Sequence, residues 1–123
     1  LFFGVMEPES GRLAYINAGH DPLFILHPPE GGIEQLEATG PAVGIDVGAS
    51  FGVRHTNIGP GQILFSYTDG IPEAVSGNGT FFGRDRLMAL LQNGSGSASD
   101  LVADIARQVR AQELFGRTAF RLA

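Results

Sequence analysis

The residues best suited to chemistry close one apolar run, Ile63-Leu64-Phe65-Ser66-Tyr67-Thr68-Asp69-Gly70. Side chains alternate across a strand. Ile63, Phe65, Tyr67 and Asp69 are therefore predicted to share one face, and that face reads as buried. A carboxylate at the end of an apolar row is costly unless something pairs with it. A hard cation is one such partner. Asp-Gly is also an ordinary turn signal. Two readings of Asp69 stand at this point, a metal-site carboxylate and a simple turn.

A second candidate closes another apolar run, Asn17-Ala18-Gly19-His20. His20 has the chemistry of a ligand, a general acid or a phosphate partner, and equally that of a hydrogen-bonded loop histidine. His27 and His55 sit in strand-like runs away from any cluster and read as structural or exposed. Glu73 follows the Asp-Gly turn and reads as a helix-starting or solvated acid. Arg84, Asp85 and Arg86 open a helical pattern and read as its solvated face, although an Arg there could hold phosphate. No GxxxxGK[ST], GxSxG or HExxH pattern occurs, so the usual nucleotide and hydrolase signatures are missing.

The elements that must position these groups follow from pattern. With 123 residues the chain is one domain's worth. Its 43% hydrophobic and 17% charged residues argue against disorder. A net charge of −5 gives no basic footprint for nucleic acid. No run of 18 apolar residues exists to span a membrane. The absence of cysteine removes disulfides, zinc thiolates and thiol nucleophiles and fits a cytoplasmic protein.

Leu1–Met6 and Arg12–Asn17 flank a turn-rich Glu7–Gly11 and predict a β-hairpin. Leu23–His27 and Ile33–Leu36 flank Pro28–Gly32 and predict a second. A looser stretch runs from Gly40 to Gly48; Phe51–Ile58 and Ile63–Thr68 read as strands. Leu87, Met88, Leu90 and Leu91 then recur at helical spacing, with Asn93-Gly94 as a stop. After a polar linker, Gly94–Ser99, Ser97 and Asp100 have capping-box spacing. Leu101, Val102, Ile105 and Val109 mark one face of a second helix. Strands followed by helices predict an α+β fold, helices covering one face of an antiparallel sheet. Ala119–Ala123 reads as a closing strand, and both ends fall in strand-like runs. The sequence is therefore expected to be an excerpt of a longer polypeptide.

Four spaced blocks carry a family resemblance. They are Gly11-Arg12-Leu13-Ala14-Tyr15-Ile16-Asn17-Ala18-Gly19-His20-Asp21-Pro22, then Gly40-Pro41-Ala42-Val43-Gly44-Ile45, then Pro60 through Ala74, and Phe82-Gly83-Arg84-Asp85-Arg86-Leu87. Jointly they resemble the SpoIIE-like branch of the type 2C (PPM) metal-dependent serine/threonine protein phosphatases, which includes regulators of stress and sporulation sigma factors. The resemblance covers roughly residues 1 to 110.

The resemblance implies an α-β-β-α sandwich, incomplete in this chain, with residues 1–123 forming a single partial phosphatase domain. It implies two Mg²⁺ or Mn²⁺ ions and a bridging water that attacks phosphoserine or phosphothreonine. Paired metals polarise the phosphoryl group and lower the pKa of the attacking water. Asp69 matches the metal-binding Asp of the family's Thr-Asp-Gly motif. Asp69 is thus the candidate catalytic residue, Asp69 and Gly70 the candidate metal-site residues, and His20 the candidate substrate-binding residue. The implied substrate is a phosphorylated protein such as an anti-sigma-factor antagonist.

The chain departs from the family pattern in three places. The family has an earlier Asp-Gly motif, for which no residue precedes Leu1. It ends on an Asp-Asp pair, where Phe115–Phe120 carry no acid. Gln62 replaces the usual Asp after Pro-Gly and reads as a turn residue. One ligand of a usual three or more predicts an inactive isolated chain. An apolar edge near Leu1 predicts a homodimer or strand-swapped assembly. Two other readings remain: a catalytically inactive phosphatase-like binding module, and an unrelated β-rich ligand-binding domain.

Overall fold

A computed structural model describes residues 1–94 and 96–114. The predicted closing strand, Ala119–Ala123, lies outside the described residues. The chain divides into two compact units, Leu1–Ser66 and Tyr67–Ala123.

The first unit holds six strands: β1 (Phe2–Glu7), β2 (Arg12–Asn17), β3 (Leu23–Leu26), β4 (Ile33–Leu36), β5 (Arg54–Asn57) and β6 (Ile63–Phe65). Both predicted hairpins are present. β1 pairs antiparallel with β2, Phe2 opposite Asn17, and β3 with β4, Leu23 opposite Leu36. The strands form two antiparallel sheets of three, ordered β1-β2-β5 and β4-β3-β6.

Alternation explains the core. Leu13, Tyr15 and Asn17 of β2 point inward, while Ala14 and Ile16 are half-buried. Leu13 and Tyr15 meet Leu23 and Ile25 of β3 and Leu36 of β4 in one cluster, so the two sheets pack face to face. Phe2 extends it, its ring stacked on Tyr15 at 5.5 Å. All four residues of β3, the middle strand of its sheet, are buried. Each such side chain contributes roughly 1.5–3 kcal/mol.

β1 is an edge strand, and its Phe3 and Val5 are exposed. Beyond its start the pairing continues through the main chain. Leu1 N donates to Ala18 O at 3.1 Å, and Ala18 N–H donates to Leu1 O at 2.8 Å.

Three strands are shorter than the sequence predicts, β3 by the one residue His27 and two others by more. Within Phe51–Ile58 only Arg54–Asn57 pair, because Phe51 and Gly52 are engaged with the preceding loop. A Cβ on Gly40 would stand 2.7 Å from the Phe51 ring, and Gly52 N–H donates to Thr39 O at 3.1 Å. The run Ile63–Thr68 is a strand only to Phe65.

The second unit contains two helices, α1 (Arg84–Asn93) and α2 (Ala98–Leu114). Leu87 and Leu91 of α1, four apart, are buried. α1 stops as predicted at Asn93-Gly94, but Gly94 is extended rather than left-handed, and Asn93 Nδ2 donates back to Ala89 O at 2.8 Å. On α2, Leu101 and Ile105 are buried, whereas Val102 is exposed and Val109 half-buried. The apolar face is therefore narrower than the sequence predicts. Arg86 fastens α1 to α2. Its guanidinium lies 4.7 Å over the Phe82 ring and donates to Gln108 and Gln112 at 3.0 and 2.9 Å.

The capping box forms with Asp in the usual Glu place. Asp100 N–H donates to Ser97 Oγ at 3.2 Å; Ser97 Oγ–H and N–H donate to the Asp100 carboxylate at 2.8 and 3.1 Å. The Ser97 hydroxyl first, and the Ser97 N–H second, hold the Asp100 pKa below its usual value. The folded state thus favours the carboxylate, so this stabilisation is present at neutral pH and lost as pH falls through the carboxylate range. Ser97→Ala is expected to cost about 1 kcal/mol in urea unfolding. Asp100→Asn should flatten the acid side of the stability–pH curve; an unchanged curve would refute this role.

Candidate functional site

Asp69 lies just past the end of β6. The ladder with β3 runs Leu26–Ile63, Ile25–Leu64, Phe24–Phe65 and stops. β3 begins directly after Pro22, which has no N–H with which to extend a ladder. Alternation survives as far as Tyr67, which is buried, as is Phe65. It then fails. Thr68, Asp69 and Gly70 are all exposed. The expectation that Asp69 ends a buried row is corrected: the residue sits in a turn outside the sheet. Ile71 N–H donates to Thr68 O at 3.1 Å and Glu73 N–H to Asp69 O at 2.9 Å. The turn uses the Asp69 carbonyl and leaves the carboxylate facing solvent.

Gly70 is not required by the local geometry. A Cβ there would meet only Thr68 Oγ1, at an ordinary 3.6 Å. Glu73 is exposed and starts no helix.

His20 belongs to the first unit and Asp69 to the second. The turn that carries His20 is built at the end of β2. Asn17 is fully buried, and its Oδ1 accepts the His20 N–H at 2.9 Å. Gly19 has φ +74°, and a Cβ there would stand 2.6 Å from Ala42. Only glycine fits both the left-handed backbone and the close approach. The His20 ring is half-buried, with Nδ1 2.7 Å from Asp21 O. A carbonyl oxygen accepts only, so Nδ1 carries the proton and Nε2 is left for a ligand.

The other candidates are accounted for structurally. Gln62 is a turn residue as predicted: its Oε1 accepts the Gly59 N–H at 2.8 Å and its Nε2–H donates to His27 Nδ1 at 2.6 Å. His55 is exposed. Arg84, Asp85 and Arg86 are exposed, as read from the sequence, and Arg86 in addition engages Phe82, Gln108 and Gln112. Among the described residues, no three His, Asp or Glu side chains converge as a metal-binding group. A concave strip along α2, lined by Ala98, Val102, Ala106, Arg107 and Arg110, contains neither Asp69 nor His20. No helix among the described residues is long and apolar enough to cross a membrane.

Sequence reasoning missed Asn17 and Thr39. Thr39 N–H donates to Asn17 O at 2.8 Å, and Asn17 N–H donates to Thr39 Oγ1 at 3.1 Å. An inward-facing Asn closing an otherwise apolar strand row was the available signal.

A family model described as Stage II sporulation protein E (SpoIIE) matches residues 1–119. Protein IcfG of Synechocystis is 46% identical over 108 residues, 88% of this chain and 17% of that protein. The crystal structure of the RsbU and RsbW domains of Rv1364c from Mycobacterium tuberculosis superposes with TM-score 0.64 at 21% identity, over 91% of this chain and 32% of that one. The chain thus spans about a sixth of the curated relative and a third of the solved chain.

Proposed function

The chain belongs to the SpoIIE family, a branch of the PPM-type phosphatases, and we propose that it forms part of a metal-dependent domain that hydrolyses phosphoserine or phosphothreonine in a protein substrate. The observation that carries this reading is the solvent-facing carboxylate of Asp69, held in a main-chain turn that does not consume it. In the intact domain Asp69 would supply a charged oxygen to Mg²⁺ or Mn²⁺. Gly70, without a side chain, can add only a backbone carbonyl, an acceptable donor to hard cations. His20, considered by itself, is proposed to bind substrate phosphate through Nε2.

The described residues do not themselves fit a divalent-ion site, since no three potential ligand side chains converge among them. The isolated 123-residue chain is therefore expected to release little or no phosphate from a phosphoserine peptide, with or without Mn²⁺. The full-length protein is expected to do so with Mn²⁺ or Mg²⁺ and to stop on adding EDTA. Metal-dependent turnover by the isolated chain would overturn the first expectation, and EDTA-insensitive turnover by the full-length protein the second.

The proposed substrate is an anti-sigma-factor antagonist in phosphorylated form. Its support is the solved structure matched above, which joins an RsbU to an RsbW domain. The same lack of a converged ligand set favours a second reading, a catalytically inactive regulatory module that binds such a partner. A full-length protein that binds a phosphopeptide without hydrolysing it would establish that reading.

A further inference from the structure

Asn17 is a fully buried amide at the junction of the two sheets. Burying an amide is costly unless its polar atoms are hydrogen-bonded. Both ends of this one are used. Nδ2–H donates to Leu36 O at 3.4 Å, from β2 across to β4, and Oδ1 accepts the His20 N–H at 2.9 Å. Its backbone is pinned on Thr39, and the following Gly19 is pressed against Ala42. The turn is thereby fixed at its start, while the imidazole is fixed at its far end by Nδ1 on Asp21 O. Which imidazole nitrogen is free is set by the bond the other one makes.

We propose that Asn17 is a positioning residue for His20: its buried side-chain amide fixes the Ala18-Gly19-His20 turn so that Nδ1 is committed to the Asp21 carbonyl and Nε2 is the nitrogen presented to the phosphoryl group of a phosphoprotein. The proposal rests on His20 facing that group, as in the function proposed above. A purely architectural role would tie the sheets together without governing the tautomer of the ring. The two roles divide between the two atoms. Oδ1 serves the turn and Nδ2 serves the sheets.

The test is the tautomer of His20 in the 123-residue chain, read from imidazole ¹⁵N shifts at a pH where the ring is neutral. Wild type should show the Nδ1–H form. Asn17→Ala should shift the ring toward Nε2–H or a mixture. Asn17→Asp should restore Nδ1–H, because a carboxylate still accepts the His20 N–H although it cannot donate to Leu36 O. An Nε2–H ring in wild type overturns the proposal, as does a folded Asn17→Ala chain with an unmoved tautomer. Failure of both variants to fold assigns Asn17 an architectural role and also overturns it. In the full-length protein, Asn17→Ala and His20→Gln should each lower kcat/KM for a phosphoserine peptide by roughly 10- to 100-fold, the scale of a misplaced group. The double variant should be no worse than the single ones, and additive losses would count against the proposal. A full-length protein without phosphatase activity would remove the function proposed above, while the tautomer would still judge Asn17.

Discussion

Asp69→Asn in the full-length protein should lower phosphoserine-peptide turnover by on the order of 10³-fold, the scale lost when a group stabilising developing charge is removed. The substitution keeps shape and one oxygen and removes only the negative charge. Asp69 is exposed, and its turn is made by its backbone carbonyl, which accepts the Glu73 N–H at 2.9 Å. Folding should therefore be unaffected within about 0.5 kcal/mol, the usual range for exposed positions. The loss is expected to shrink as Mn²⁺ is raised, because a weaker ligand set is partly offset by concentration. The informative comparison is with Glu73→Gln, an acid four residues on that is also exposed, which should keep most activity. Equal losses in the two variants would mean that the general charge of this loop matters and that Asp69 is not a specific ligand.

The second large effect concerns stability. Ile25→Ala should destabilise the chain by about 2–5 kcal/mol, the range for truncating a fully buried branched residue. Ile25 is completely buried on β3, the middle strand of its sheet, opposite Glu34 on one side and Leu64 on the other. Its side chain packs in the cluster that joins both sheets, so neither sheet can relax alone to close the cavity. Small domains are stable by only about 5–15 kcal/mol, so the variant should melt far earlier in urea. Val102→Ala, on an exposed helical position, should change stability by less than about 0.5 kcal/mol. A midpoint for Ile25→Ala within error of wild type would show that the two sheets do not share a core.

The strands of the first unit were legible because each hairpin combined apolar runs with turn residues, and these signals are local. Asp69 was legible as a candidate and misread in its setting. The row Ile63, Phe65, Tyr67 was extended by one more alternation, but pairing depends on the partner strand, and Pro22 supplies no N–H to prolong it. The capping box at Ser97 and Asp100 could be read directly, since its atoms lie within one turn. The apolar face of α2 was overdrawn at Val102, because helical spacing alone does not say how wide a face is covered. The inward place of Asn17 was signalled by its strand row, but its pairing with Thr39 was not. The two residues are 22 positions apart and meet only once the strands have paired.

The main-chain clasp between Leu1 and Ala18 bears on how the protein is handled at the bench. Leu1 and Ala18 exchange hydrogen bonds in both directions, so a leader fused ahead of Leu1 would emerge alongside the residues that follow Ala18. His20 is two positions on. A polyhistidine purification tag placed there would bring a row of foreign imidazoles, and any nickel they carry, beside the ring whose protonation is to be measured. Metal titrations and nitrogen spectra would then report the tag as readily as the protein. The tag should be cleaved, or replaced by one without histidine, before either experiment is read.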